Sequence, residues 1–298
     1  MNRRQLEYFL AVARELNFTR AAESLFVSQT AVTQQIRVLE EQLGVQLFVR
    51  TKRKVEMTPA GKVFQREALG IMNRMDAAVL RTREASSGFV GSLNIGFTIG
   101  IGNTEISDRI QMFNRKYPNI VMRFKNLSPS VLLRQLREGE LDLALMPMFQ
   151  EKYYAGICCR RVVSDHYVAI LPKNHVLAQN QFLTWKDLKE EPLFLAATPD
   201  SEIGEDLDII ESFIQNGLQP NVLDHIEDME TIMFMISANL GITILPAYMA
   251  IPAASRGKIV TIPIGMSKDQ VDIIAAWMPE EENPSLEKIL PFLEEKPV

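Results

Sequence analysis

FTRAAESLFVSQTAVTQQIRVLEEQL, residues 18 to 43, reads as two short helices joined by a tight turn. Ala21, Ala22 and Leu25 face inward from the first helix and Val27 and Ser28 make the turn; Val32, Ile36, Leu39 and Leu43 then continue the apolar stripe at spacings of four, three and four. Such spacing keeps the stripe on one side of a helix. At about 100° per residue, Thr30, Thr33, Gln34 and Arg37 fall on the other side, where hydroxyl, amide and guanidinium groups can reach phosphates and base edges. Ser28 is the expected N-cap. Any amphipathic helical hairpin shares this stripe, and the residues that follow separate the two readings.

Residues 47 to 58, LFVRTKRKVEMT, hold Arg50, Lys52, Arg53 and Lys54 within five positions, flanked by apolar residues in strand-like alternation. A β-hairpin with a cationic tip beside a helix-turn-helix is a winged arrangement, suited to neutralising phosphates or entering the adjacent minor groove. The charge distribution agrees. The whole chain is acidic, net −5 with a pI near 5.5. Yet residues 1 to 90 carry 14 Lys and Arg against 9 Asp and Glu, a net +5, leaving 18 against 28, a net −10, for the other 208 residues. The basic end is the expected DNA end, and the acidic remainder disfavours contact with polyanions elsewhere.

At 298 residues and 47% hydrophobic content, the chain is long enough for a small module and one or two full cores. No 18-residue apolar run and no charged-then-apolar leader is evident, so the expectation is a cytoplasmic protein without a membrane partner. Cys158 and Cys159 are adjacent in the strand-like run ICCRRVV and read as incidental thiols.

Thr58-Pro59 supplies a hydroxyl cap followed by proline at the first helical position. From Pro59 to about Ser87, Phe64, Ala68, Ile71, Met75, Ala78, Thr82 and Ala85 recur with a mean period of 3.5, a coiled-coil seam or the face of a helix packed on its own domain. The seam predicts a dimer joined through Phe64, Ala68, Ile71 and Met75. Paired recognition helices about one DNA turn apart would read a pseudo-palindromic site. Ser86, Ser87, Gly88, Gly91 and Ser92 form the expected hinge.

These N-terminal 90 residues closely resemble the LysR-type transcriptional regulators, through RQLEYFLAVARELNFTRAAESLFVSQTAVTQQIRVLEEQLGVQLFVR, then TKRKVEMTPAG, then the helix to Ser87. The resemblance implies that Gln29, Thr30, Thr33 and Gln34, with Arg50 and Arg53, approach DNA. The family pattern usually has Pro at the place of Thr30, Ser at that of Thr33, and Arg or His at that of Gln34. An amide at Gln34 prefers adenine where arginine would prefer guanine. The whole expected DNA-contacting set is Ser28, Gln29, Thr30, Thr33, Gln34, Arg37, Arg50, Lys52, Arg53 and Lys54.

The remainder reads as α/β with two lobes. GSLNIGF (91–97), a helix from Thr104 to Tyr117, NIVMRF (119–124), a helix from Pro129 to Glu138, and LDLALM (141–146) alternate strand and helix, predicting a parallel, covered sheet. A second lobe begins near Asp165 with HYVAILP and runs through PLFLAA (192–197), helices near 207–215 and 229–239, and GITILP (241–246). IVTIPI (259–264), VDIIAAWM (271–278) and a helix from Leu286 to Leu293 close the chain. This order resembles the LysR effector-binding domain, itself similar to periplasmic solute-binding proteins. The expected division is a winged helix-turn-helix over 1–58, a linker dimerisation helix and hinge over 59–88, and an effector-binding domain over 89–298. Lobe I covers about 89–163 and 267–298, and lobe II about 164–266.

A ligand would lie between the lobes, where strand ends enter loops and helices. TIGIGN (98–103), Ser128-Pro129 and TPDSE (198–202) fit that place, with Met146 and Met148 as an apolar floor. The candidate effector residues are Thr98, Gly100, Asn103, Ser128, Met146, Thr198 and Ser201. A small polar organic effector follows, often a carboxylate in the family, although Asp200, Glu202, Glu205 and Asp206 near the mouth would repel an anion. Catalysis finds no support. The cluster Gly96, Gly100, Gly102 lacks both G-x-G-x-x-G spacing and a Walker Lys, no G-x-S-x-G elbow occurs, and His166, His175 and His225 stand in unrelated places. Metal-ligand spacing is absent, and neither metal nor cofactor is expected.

The sequence therefore predicts a ligand-responsive, sequence-specific transcription regulator, a homodimer or homotetramer that touches RNA polymerase. Ligand would close the lobes about crossover strands near Val163 and Gly265, re-spacing the paired DNA heads through the linker helix. The competing expectation is a solute sensor without DNA activity, which leaves the basic wing unexplained.

Overall fold

The computed structural model describes residues 1–50, 54–86, 91–197, 203–254, 257–265, 270–279 and 283–294. The chain divides into two compact units, Met1–Ser87 with Arg137–Glu140, and Gly88–Leu136 with Leu141–Val298.

In the first unit, α1 (Arg3–Glu15) starts where Asn2 and Gln5 each accept the other's backbone N–H, a reciprocal cap. α2 (Phe18–Ser24) is capped by Asn17, and α3 (Gln29–Leu43) by Ser28, whose Oγ accepts from Ala31 N–H at 3.2 Å. Gly44 ends α3 in the left-handed conformation. β1 (Phe48–Arg50) and β2 (Val55–Met57) pair antiparallel as the expected wing, while its tip, residues 51–53, lies outside the described residues. α4 (Pro59–Ser86) follows Thr58, whose Oγ1 accepts from Gly61 N–H at 2.9 Å. A Cβ at Gly61 would collide with the Leu47 backbone carbonyl, so glycine lets α4 press against the root of the wing.

Leu6, Phe9, Val12, Val32, Ile36, Leu39 and Phe48 are buried together, and Phe9 packs on Phe48 and Phe64 with ring centroids 5.4 and 4.9 Å apart. The stripe stops one turn early. Leu43, expected inside, is 38% exposed because it is the last helical residue before Gly44. The expected dimer seam also needs correction. Ala68 is fully buried in this unit's own core, with Phe64 and Ile71 packed against it, whereas Met75 and Val79 are 39% and 49% exposed. One face of the first turns of α4 therefore closes the module, and Met75 and Val79, with Val63 near the start, are apolar residues left exposed.

The second unit is α/β. Its elements are β3 (Gly91–Phe97), α5 (Ile106–Lys116), β4 (Ile120–Asn126), α6 (Pro129–Arg137), β5 (Leu143–Pro147) and β6 (Cys158–Pro172). These are followed by α7 (Trp185–Leu188), β7 (Leu193–Ala196), α8 (Glu205–Gln215), β8 (Val222–Ile226), α9 (Met229–Ser237), β9 (Thr243–Pro246) and α10 (Ala247–Ala254). β10 (Ile259–Pro263), β11 (Gln270–Trp277) and α11 (Pro284–Leu293) complete it. The main sheet runs β10-β6-β11-β5-β3-β4, with β9 also on β6.

Strand and helix alternation does make β3 parallel to β4 and β5, but β11 is antiparallel to both β5 and β6. The sheet is mixed rather than parallel because the chain leaves one lobe on β6 and returns on β11, so those two strands oppose each other. Cys158–His166 pair with β11, and from Tyr167 onward β6 pairs with β9 and β10. ICCRRVV and HYVAILP, read as separate stretches, are thus one strand. The change of lobe falls at His166–Tyr167, just beyond the expected Val163, where the β11 register slips between Ile273 and Ile274. Of the other crossover, Gly265 has positive φ, and residues 266–269 lie outside the described residues.

Candidate nucleic-acid interface and ligand cleft

Along α3, Val32, Ile36 and Leu39 have no exposure, while Ser28, Gln29, Thr30, Gln34 and Arg37 are exposed. The exposed set presents amides, a hydroxyl and a guanidinium on one rod-like face, the combination that can read a major groove. Ser28 spends its side chain on the cap, so what it offers a phosphate is an exposed helix N-terminus. Arg37 pairs with Glu41 at 2.9 Å on the surface, a contact that water and salt weaken. Thr33 departs from expectation. It is half-buried and its Oγ1 is enclosed without a partner, placing it on the flank of the exposed face. In the wing, Lys54 is exposed and its Nζ lies 2.5 Å from Glu56. The Arg50 side chain, Lys52 and Arg53 lie outside the described residues.

Phe26 was missed by the periodic reading. It is 95% exposed with φ of 56°, an aromatic ring held out by the turn immediately before α3. The signal available in sequence was a large apolar residue in a position too short to belong to either helix. One carboxylate fixes the geometry between helix and wing: Glu40 on α3 accepts from Leu47 and Phe48 N–H at 2.8 and 3.1 Å.

In the second unit a cavity of about 180 Å³ opens between the lobes. Thr98, Ile99 and the run Asn126 to Pro129 line it from one side, and Ala196, Ala197, Glu205, Glu227, Met229 and Met249 from the other. Thr98 follows β3 and Ser128 precedes α6, so two of the seven expected effector residues stand on its wall. The others are placed differently. Gly100 has φ of 86° and lies so close to Tyr248 and Met249 that a Cβ would be 2.8 Å from the Tyr248 ring. Asn103 donates to the Tyr248 backbone carbonyl at 2.9 Å and so ties the lobes together. Met146 is fully buried in β5, a strand with no exposed residue, and is not the floor. Met229 and Met249 supply apolar surface instead. Thr198 and Ser201 lie outside the described residues.

The cavity is acidic. Glu205 and Glu227 line it, and no Lys, Arg or His does so among the described residues. Burial holds the Glu205 carboxyl above the usual carboxylate range, against the hydrogen bond it accepts from its own backbone N–H, with Asp206 and Asp208 adding to the rise. Burial also raises Asp208, against the hydrogen bond it accepts from the Tyr167 hydroxyl. Thr98 Oγ1 and the Tyr248 hydroxyl are both enclosed and lie beside one another, short of a hydrogen bond of ordinary geometry. Elsewhere, partial desolvation pushes the thiol of the exposed Cys159 up to about 11, with Cys158 adding to it. Among the described residues no group of three or more His, Cys, Asp or Glu is arranged to hold a metal ion, and no helix is long and apolar enough to cross a membrane.

Comparison with known proteins places both units. Residues 86–297 match the LysR substrate binding domain, and residues 3–62 match the bacterial regulatory helix-turn-helix protein, lysR family. The Hca operon transcriptional activator HcaR of Escherichia coli (strain K12) is 32% identical over 297 residues, covering 99% of this chain and 98% of the relative. The HTH-type transcriptional regulator AlsR of Bacillus subtilis (strain 168) is 29% identical, covering 93% of this chain and 89% of its own. The crystal structure of CbnR, a LysR family transcriptional regulator, shares the fold at a TM-score of 0.71 and 23% identity, with 98% of each chain covered.

Proposed function

The chain belongs to the LysR family of DNA-binding transcriptional regulators, and from that premise we propose how it reads DNA and what alters its reading. α3 enters the major groove with Gln29, Thr30, Gln34 and Arg37 toward the bases and backbone. Arg50, Lys52, Arg53 and Lys54 of the wing meet phosphates, and Phe26 touches the sugar edge beside them. Thr33 supports the helix from its flank. The observation that carries this reading is the exposure of one polar face on a helix whose other face is fully buried.

Two chains pair through the later turns of α4, around Met75 and Val79, to read a pseudo-palindromic operator, and pairs associate into tetramers. CbnR has been crystallised full-length in complex with its target DNA. A small organic effector enters the cavity between the lobes, binds one lobe arrangement better than the other, and so shifts operator affinity and contact with RNA polymerase. The winged module spans 1–58, the linker helix 59–88 and the effector-binding domain 89–298. The protein acts in the cytoplasm, by binding rather than by catalysis.

Fluorescence anisotropy of labelled duplex from the promoter beside this protein's own gene tests the reading. Affinity falls steeply with salt, in proportion to the phosphates neutralised. Gln34→Ala relaxes base preference, whereas Arg50→Ala weakens all duplexes nearly uniformly and lowers the salt slope by about one. Equal changes in preference for both variants would overturn the assigned roles. A full-length chain indifferent to that promoter and to random duplex in dilute buffer would overturn the interface.

A further inference from the structure

The charge and the unspent polar groups of the interlobe cavity say which kind of molecule belongs there. The inference rests on that cavity being the effector site. Three observations converge. First, the ionisable groups lining the cavity among the described residues are two carboxyls, Glu205 and Glu227.

Second, the acidic groups around Glu205 already have partners. Asp206 lies 3.3 Å from His225, Asp208 accepts from the Tyr167 hydroxyl, and Asp165 accepts from Tyr248 N–H at 2.8 Å. Glu205, half-buried at the start of α8, accepts only from its own backbone N–H among the described residues. A desolvated carboxylate so sparsely bonded is costly to keep, and a cationic ligand group can offset that cost.

Third, Thr98 is 2% exposed and on the cavity wall, and its hydroxyl and that of Tyr248 lie enclosed beside one another with no other hydrogen-bond partner. Both oxygens can accept from an N–H. The remaining wall, Ile99, Pro129, Met229 and Met249, is apolar. At about 180 Å³ the space is smaller than the roughly 300–1,000 Å³ of sites that hold drug-sized molecules.

We propose that the cavity selects a small organic cation, an amine whose ammonium group is held by Glu205 with Glu227 and oriented by Thr98, and whose apolar body rests on Met229 and Met249. This class is the opposite of the carboxylate that the family resemblance suggests. A carboxylate would enter a site with two carboxyls and, among the described residues, no cationic side chain, and like charges repel strongly where water is scarce.

Three probes of one shape and different charge test it on the full-length chain by isothermal titration at neutral pH: benzylamine, benzyl alcohol and benzoate. Benzylamine is expected to bind at least tenfold more tightly than benzyl alcohol, with benzoate weakest. Glu205→Gln is expected to erase the preference for the amine while leaving benzyl alcohol unchanged, because it keeps the shape and removes the charge. Thermal melting of the variant checks that it is folded. Benzoate or benzyl alcohol binding more tightly than benzylamine overturns the cationic class while leaving the cavity as the effector site. An amine preference that survives in folded Glu205→Gln overturns the role of that residue. Binding of none of the three overturns the cation proposal and leaves the effector reading standing, since the probes sample a single shape.

Discussion

Glu40 joins the recognition helix to the wing, and its replacement has a calculable cost. One carboxylate oxygen accepts two backbone N–H groups, Leu47 at 2.8 Å and Phe48 at 3.1 Å. Hydrogen bonds to a charged group contribute about 1.5–3 kcal/mol each. Glu40 is half-buried, so water replaces part of the loss, and Glu40→Ala is expected to cost about 3 kcal/mol in all. That is a large share of the about 5–15 kcal/mol that holds an ordinary domain together. Glu40→Gln keeps an acceptor oxygen and loses only the charge, for about half the cost. The chain's two tryptophans provide the assay. Trp185 and Trp277 both lie in the second unit, so their emission on urea unfolding follows that unit, whereas helical circular dichroism follows both. With a urea slope of about 1–3 kcal/mol per molar, Glu40→Ala moves the midpoint of the N-terminal transition down by about 1–3 M and leaves the tryptophan transition in place. An unmoved circular dichroism curve, or a glutamine variant as unstable as the alanine one, would refute the anchoring role.

Other substitutions separate the remaining assignments. Phe26→Asn relieves an aromatic residue from a left-handed backbone, for a gain of about 1 kcal/mol in the N-terminal transition, and weakens operator binding severalfold in the anisotropy assay. A loss of stability would contradict the backbone argument. Phe64→Ala removes a ring packed 4.9 Å from Phe9 and costs about 2–3 kcal/mol. Met75→Asp with Val79→Asp changes stability by less than about 0.5 kcal/mol but yields monomers in sedimentation. Dimers that persist would move the pairing surface elsewhere. For Glu205, burial raises the folded pKa, so the folded state holds its proton more firmly than the unfolded one. Its stabilising contribution is complete below the unfolded carboxylate pKa and is lost as pH rises through the folded value. Glu205→Gln should therefore melt with the wild type at acidic pH and above it at neutral pH, read by tryptophan emission. A pH-independent gap would remove burial of the charge as the cause.

What the sequence made legible was local. Val32, Ile36 and Leu39 are fully buried as their spacing required, because a helix converts spacing into direction with little help from the rest of the fold. The same rule misled at its edges. Thr33 sits beside Val32 on the flank of the stripe, where a 100° step cannot distinguish exposed from half-buried, and Leu43 kept the period but had no turn after it to pack against. At Phe64, Ala68 and Ile71 the period was right, and it left open a seam or a face packed on its own domain. A repeat near 3.5 tells which side of a helix is apolar, and the facing surface here is α1 and the wing root of the same chain.

Direction was lost wherever it depended on distant chain. βαβ alternation fixes β3, β4 and β5 as parallel, but β11 enters between β5 and β6 after a journey through the other lobe, which no local pattern records. The cavity follows the same logic. Thr98 and Ser128 were found because each ends a strand or starts a helix within its own segment, whereas Glu227, Met229 and Met249 reach the opposite wall only through the pairing of β7 with β8 and of β6 with β9. Glu205 is the sharpest case. In sequence, an acidic residue at a helix start is the ordinary complement to the helix dipole and gains from exposure there. Folding instead sets it half-buried across the cavity from Thr98, and the energetic meaning reverses. A surface carboxylate asks nothing of a ligand, whereas a half-buried one that accepts only from its own backbone rewards whichever ligand brings a positive charge.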